Sequence, residues 1–170
     1  MAETFECARA LILEKVSPLS AETVPLCDVV GRVLAEAMRA PCDLPRWDNS
    51  ALDGFAVRAE DCGASQSLLI DGYIPAGSTA LGIQVVPGKA VKIMTGAPTP
   101  EGCDTIVPVE ETEEQDGRVL IKGRVQHGDH IRVRGEDVQQ GEVVIAAGSI
   151  LRPAEISMLA SFSIQSVSVF

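Results

Sequence analysis

The chain has 170 residues, 14 basic and 24 acidic, for a formal net charge of −10. That surplus of carboxylates argues against a nucleic-acid backbone or an anionic membrane surface as partner, since Lys and Arg must neutralise the phosphates of both. Hydrophobic residues at 46% supply a core and exclude disorder, while 15 Gly and 10 Pro demand many turns and short elements rather than a helical bundle.

Residues 3–16 set Phe5, Ala8, Leu11, Ile12 and Val16 at helical spacing, and Ser17-Pro18 ends the repeat. Residues 23–40, rich in Val and Leu and broken at Gly31, read as a strand or turn followed by a strand over 32–38. Short β segments are then predicted at 55–58, 68–70, 90–94, 105–109, 119–122 and 143–145, with Asp116-Gly117 as a hairpin turn. Pro153 opens a second helix with Ile156, Leu159 and Ala160 on its apolar face, and Met158 and Phe162 read as core. A strand over 166–170 runs to the last residue, which suggests a cut between domains of a longer protein. The pattern is that of a β-rich α+β chain, with antiparallel sheets or a small barrel. It lacks the strand–helix alternation and the glycine fingerprints of nucleotide-binding folds.

Five cysteines at wide spacing, with no C-x-x-C pair, read as reduced thiols of a cytoplasmic protein. His127 and His130 read as loop residues, so a zinc site is not expected. There is no apolar run of roughly 20 residues to span a bilayer and no basic leader before an apolar core.

Three segments set polar turn-formers among apolar strands. In the first, LPRWDNSALDGFAVR, Asp48, Asn49 and Ser50 read as caps of a local turn. Asp53, before Gly54 and a strand, either forms a turn or holds a divalent cation or its water. The second runs KIMTGAPTPEGCD. Here Thr95 either closes an ordinary Gly/Pro connection or, with Gly96, opens a backbone nest for an anion. In the third, RVRGEDVQQGEVV, Arg132 and Arg134 would share a strand face as two guanidinium forks for an oxyanion, or else form a solvated cluster with acids. Glu136 and Asp137, being adjacent, would point to opposite sides of a strand. The acidic run 110–116 reads as a solvated loop.

The order of PRWDNSALDGFAVRAED, KIMTGAPTPEGCDTIVPVEETEE and IRVRGEDVQQGEVVIAAGSILRPAEISMLASFSI resembles the N-terminal half of the MoeA family, the molybdopterin molybdenumtransferases related to the E domain of gephyrin. Trp47 stands where that family often has Gly-Phe or Phe. The resemblance implies an enzyme that inserts molybdate into adenylylated molybdopterin with Mg2+ and releases AMP. It further implies a homodimer, whose active site lies between the pterin-binding domain of one subunit and the second domain of the other. Carried onto this sequence, Asp53, Thr95 and Asp137 are the expected catalytic residues and Asp53 the metal ligand. Arg132, Arg134, Gly96 and Glu136 are the expected contacts to the pterin substrate.

The expected fold is a discontinuous, small α/β first domain over 20–46 and 133–170, with a β-barrel-like second domain inserted over 47–132. A leading helix within 1–19 would pack on the pterin-binding domain that this sequence lacks. The fragment alone is expected to be inactive. Two other readings are a non-catalytic scaffold for another cofactor-biosynthesis protein and a small-anion-binding β domain.

Overall fold

The computed structural model describes residues 4–17, 19–63 and 66–170. In chain order the elements begin α1 (Phe5–Lys15), β1 (Glu22–Pro25), β2 (Met38–Arg39), β3 (Asn49–Ser50), β4 (Gly54–Val57), β5 (Ser67–Ile74) and β6 (Lys89–Ile93). They continue with β7 (Thr105–Pro108), β8 (Thr112–Gln115), β9 (Arg118–Ile121), β10 (Ile131–Arg132), β11 (Val143–Ile145), α2 (Pro153–Ser161) and β12 (Ser166–Val169). The β-rich α+β class follows directly, with two helices among the described residues. The chain divides into two compact units, one built from 1–41 and 141–170 and the other from 42–140.

The first unit is discontinuous because its two chain ends pair. β1 runs antiparallel to β12, with Glu22 opposite Val169, and β2 runs antiparallel to β11. Val29, Leu34, Ile145, Leu151, Leu159, Val167 and Val169 close a core from both pieces. Pro153 occupies the first turn of α2, where its missing N–H costs nothing, and Glu155 caps back onto the Arg152 amide. Leu159 is the buried residue of α2. Met158 and Ile156 are half-buried, whereas Ala160, expected on the apolar face, is exposed. The strand expected over 32–38 is replaced by isolated bridges at Val33 and Leu34 before β2 begins. Helix α1 is capped by Thr4, whose hydroxyl accepts from the Cys7 amide, and it buries none of its residues. The expected limits at Glu3 and Pro18 lie outside the described residues.

The second unit is a six-stranded, half-barrel sheet in the order β7-β4-β6-β5-β9-β8. Every residue of β4 and β7 is buried, Thr105 of β7 included, because apolar clusters pack against both faces of this end of the sheet. Phe55, Val57 and Val107 pack into one cluster, while Ala56, Ile93 and Ile106 pack into another. β8 and β9 form the hairpin that Asp116-Gly117 signals, both turn residues having positive φ (51° and 72°). The acidic run is therefore not a loop. Thr112–Gln115 is an edge strand whose Glu113 and Glu114 pair with Lys122 and Lys92, and such charges keep an open edge from recruiting another chain. β5 and β6 are parallel, against the antiparallel expectation, so a long connection over 75–88 has to join them.

Residues 42–46 and 133–140, expected in the first domain, belong to this second unit. Leu44 bridges Val138, and Asp43 accepts from the Gln140 amide and pairs with Arg134.

Candidate functional site

The site is organised around β3, a two-residue strand with no hydrophobic period to announce it. Ser50 pairs with Ile131 and Asn49 with Arg132, joining the first motif segment to the third. On its other side the Ser50 amide donates to the Ala97 carbonyl (3.0 Å), and the Gly96 amide donates to the Ser50 carbonyl (2.8 Å). Asp48 extends the seam. Its carboxylate accepts from the Arg134 amide (2.7 Å) and its carbonyl accepts from the Thr99 amide (3.0 Å). Asp48 thus ties distant segments where a local cap is expected. The Ser50 hydroxyl does close a local turn, accepting from the Leu52 amide (3.4 Å), and it is the Ser50 backbone that joins the segments. The three motifs converge because a short polar strand is stitched between the other two.

Asp53 and Thr95 meet directly. Asp53 Oδ1 accepts from the Thr95 hydroxyl (2.6 Å) and from the Thr95 amide (2.7 Å). These two bonds, the hydroxyl's first, hold the Asp53 carboxyl below its ordinary range, so it is ionised at neutral pH. No described residue donates to Oδ2, and the side chain is exposed. Gly54 behind it is fixed by close approach, since a Cβ there would meet the Val107 carbonyl oxygen. Thr95 does not close its own turn, and the 95–97 amides do not form an open nest. They donate to Asp53, to Ser50 and to the Met94 carbonyl.

Of the two arrangements open to the arginines, the solvated cluster with acids forms and the shared strand face does not. β10 ends at Arg132, and Gly135 (φ 75°) turns the chain. Arg132 therefore folds back onto both acids. Its Nε donates to Glu136 (2.7 Å) and its Nη2 to Asp137 (2.7 Å), so the two adjacent carboxylates serve one guanidinium rather than opposite faces. Glu136 also accepts from the Val133 amide (2.9 Å). Arg134 pairs with Asp43, a residue the sequence reading missed. Asp43 precedes Leu44-Pro45 and looks locally like any turn former. The Gln140 amide and the Arg134 side chain hold the Asp43 carboxyl low, and the Arg132 side chain followed by the Val133 amide do the same for Glu136. Two guanidiniums thus face three carboxylates, and neither stands as a free fork for an oxyanion.

Among the described residues no three His, Cys, Asp or Glu gather as a ligand set for a metal. Asp53 nevertheless fits a divalent cation of the Mg2+ type, which takes one or two carboxylates and fills its other positions with water and substrate phosphates. Its charge is stabilised by neutral donors alone, and one oxygen is free. Cys62 and Cys103 do not compete for that role. Burial pushes Cys62 and Cys103 up to about 11, which leaves them protonated and inert.

A family model described as the MoeA N-terminal region (domain I and II) matches residues 3–163. The molybdopterin molybdenumtransferase of Synechococcus elongatus is 36% identical over 98% of this chain and 43% of its own length. Molybdopterin molybdenumtransferase 2 of Mycobacterium tuberculosis is 42% identical over 86% of this chain and 37% of its own. The crystal structure of the molybdopterin biosynthesis moeA protein from Pyrococcus horikoshii superposes with a TM-score of 0.88 at 36% identity, covering 94% of this chain and 44% of that one. The chain spans less than half the length of these relatives. No described helix is long and apolar enough to cross a membrane.

Proposed function

We propose, on the premise that this chain belongs to the family of MoeA N-terminal regions, that it forms part of a molybdopterin molybdenumtransferase. The reaction is insertion of molybdate into adenylylated molybdopterin with release of AMP. This part supplies one wall of the active-site cleft and the dimerisation region. The pterin-binding wall comes from a domain outside these 170 residues, so the chain alone does not turn over.

The observation that carries the reading is the Asp53–Thr95 pair. Two motif segments 42 residues apart converge on one exposed carboxylate, whose second oxygen receives no donor from a described residue. When bound there, Mg2+ would neutralise phosphate charge and polarise the phosphoanhydride. Asp53 presents Oδ2 to it, or to a water in its shell. Thr95 fixes the carboxylate's rotation by holding Oδ1 from two donors, and it keeps the group ionised. Asp137, Glu136 and Arg132 form the neighbouring wall. Substrate phosphates compete there with the two carboxylates for the Arg132 guanidinium, and Arg134 is held against Asp43. Gly96, with positive φ (79°), keeps the loop beside Thr95 free of a side chain that would crowd the substrate.

The test joins this chain to the remaining domains of the Synechococcus elongatus relative and measures cofactor synthesis. Asp53→Asn keeps the shape and removes the charge. A turnover loss of about 100-fold or more, with an unchanged melting temperature, is the expected result for one preorganised electrostatic group. Undiminished synthesis by the Asn variant would favour the scaffold reading. Light scattering of the joined protein at micromolar concentration should give twice the subunit mass, and a monomer would remove the dimerisation role.

A further inference from the structure

The connection over 75–88 and the loop over 98–101 line a pocket of about 420 Å3, within the range of small-molecule sites. Its lining is largely apolar, through Trp47, Ala80, Leu81, Ile83 and Pro98, and neither Asp53 nor Thr95 belongs to it. Trp47 is 50% and Leu81 87% exposed, so this apolar surface lies uncovered.

One charged side chain lines the pocket. Gln84 Nε2 donates to Glu101 Oε2 (2.6 Å) and the Val85 amide donates to the Glu101 carbonyl (2.8 Å), which grips the residue at side chain and backbone. Gly102 allows the approach, because a Cβ there would strike the Val85 carbonyl oxygen. Glu101 Oε1 receives no donor from a described residue, and no Lys or Arg lines the pocket. The Thr99 hydroxyl donates to the Asp48 carbonyl (3.3 Å) and the Ser78 hydroxyl to the Pro75 carbonyl (2.7 Å), which leaves both oxygens as acceptors.

An anion is opposed here by Glu101 and by the chain's net charge of −10. An uncharged apolar group would cover the walls but strand the Glu101 carboxylate without a partner. A cation with N–H donors on an apolar stem satisfies both. Indole attracts cations over its face, and a planar guanidinium stacks there and is less strongly hydrated than an ammonium. Its in-plane N–H groups then stay available to a carboxylate, while its methylenes cover apolar surface. Free arginine carries a carboxylate for which the pocket holds no cation, whereas an arginine within a polypeptide brings only neutral amides.

We propose that this pocket receives an arginine side chain of a basic partner protein, its guanidinium stacked on Trp47 and donating to Glu101 Oε1, its stem along Leu81 and Pro98. Arginine capture needs nothing of the Asp53 chemistry, so either can fail while the other stands.

Trp47 is the sole tryptophan, so its indole N–H gives one nuclear magnetic resonance signal in the labelled chain. The probe is N-acetyl-arginine methylamide, titrated at constant ionic strength. Blocked citrulline, of nearly the same shape without the charge, and free arginine are the comparisons. Blocked arginine is expected to shift the Trp47 indole and the Leu81 and Gly102 amides with a Kd on the order of 1 mM. Blocked citrulline should bind about fivefold more weakly or worse, and free arginine more weakly than the blocked form. Glu101→Gln should weaken blocked arginine about fivefold or more, its unchanged free spectrum serving as the fold control. Silence up to about 50 mM blocked arginine would overturn the site. Equal binding of blocked citrulline, a comparison that needs no variant, would overturn the cation, and unchanged binding by Glu101→Gln would overturn the role of Glu101. Free arginine binding as tightly as the blocked form would overturn the partner protein as its source.

Discussion

Asp53 and Glu136 are both exposed carboxylates with lowered proton affinity, yet they differ in what balances the charge. At Asp53 the balance comes from one neutral hydroxyl and one neutral amide, and the negative charge persists in full. In the turn, Glu136 and Asp137 share the Arg132 guanidinium, and Asp43 takes Arg134. A lowered pKa alone therefore does not mark a site. What separates the two regions is that Asp53 meets no guanidinium at all, whereas each carboxylate of the turn is engaged by one, so only Asp53 is left for a cation or polarised water.

The largest expected effect breaks the Asp53 side at its foundation. Gly54→Ala forces a Cβ into the Val107 carbonyl oxygen, so β7 must move away from β4. The expected cost is about 3 kcal/mol or more, read as a lower denaturant midpoint. An unchanged midpoint would show that the close approach is not a constraint.

Arg132→Met tests the other region. It leaves Glu136 and Asp137 side by side without a cation, and the melting temperature should fall by a few degrees while the Asp53 and Thr95 amide signals stay in place. If the Thr95 signals move instead, the two regions are not independent.

Acid sharpens the contrast next. Asp43 and Glu136 have folded-state pKa values below their ordinary 3.8 and 4.5. Their stabilising contributions are thus complete above those ordinary values and are lost as pH falls through the lowered ones. Stability should drop in that window, and Asp43→Asn should flatten the drop, since it removes a group that must be protonated. A drop of undiminished depth in the Asn variant would place the acid sensitivity elsewhere.

The smallest effect is at Thr95. Thr95→Val removes the hydroxyl, the first cause of the lowered Asp53 carboxyl, so that carboxyl should titrate closer to its ordinary range. Carbon-detected titration of the Asp53 side chain reads the shift. No movement would mean that the amide alone sets its proton affinity.

Much of this was legible in the sequence wherever burial or turn geometry imposes a pattern. The apolar runs of β4, β6 and β7, the Asp116-Gly117 hairpin and the proline start of α2 all carry local signals. The parts that hold the site together carry none. β3 is Asn-Ser, and its partners Ile131 and Ala97 lie far along the chain, so its polar residues look like an ordinary turn. Strand alternation continued past Arg132 would put Arg134 on the same face, and Gly135 ends that alternation. Asp43 was invisible because its partners, Arg134 and Gln140, are 91 and 97 residues away. The resemblance to MoeA found Asp53 and Thr95 as candidates, but only the fold brings them into contact.

Titration of the chain with Mn2+, a paramagnetic stand-in for Mg2+, tests the central claim most directly. The amides of Asp53, Gly54 and Thr95 should broaden at the lowest Mn2+ concentrations, while those of Glu136 and Asp137 keep their intensity. Asp53→Asn should abolish the early broadening. Broadening that begins at Asp43, Glu136 and Asp137 and leaves Asp53 sharp would contradict the account.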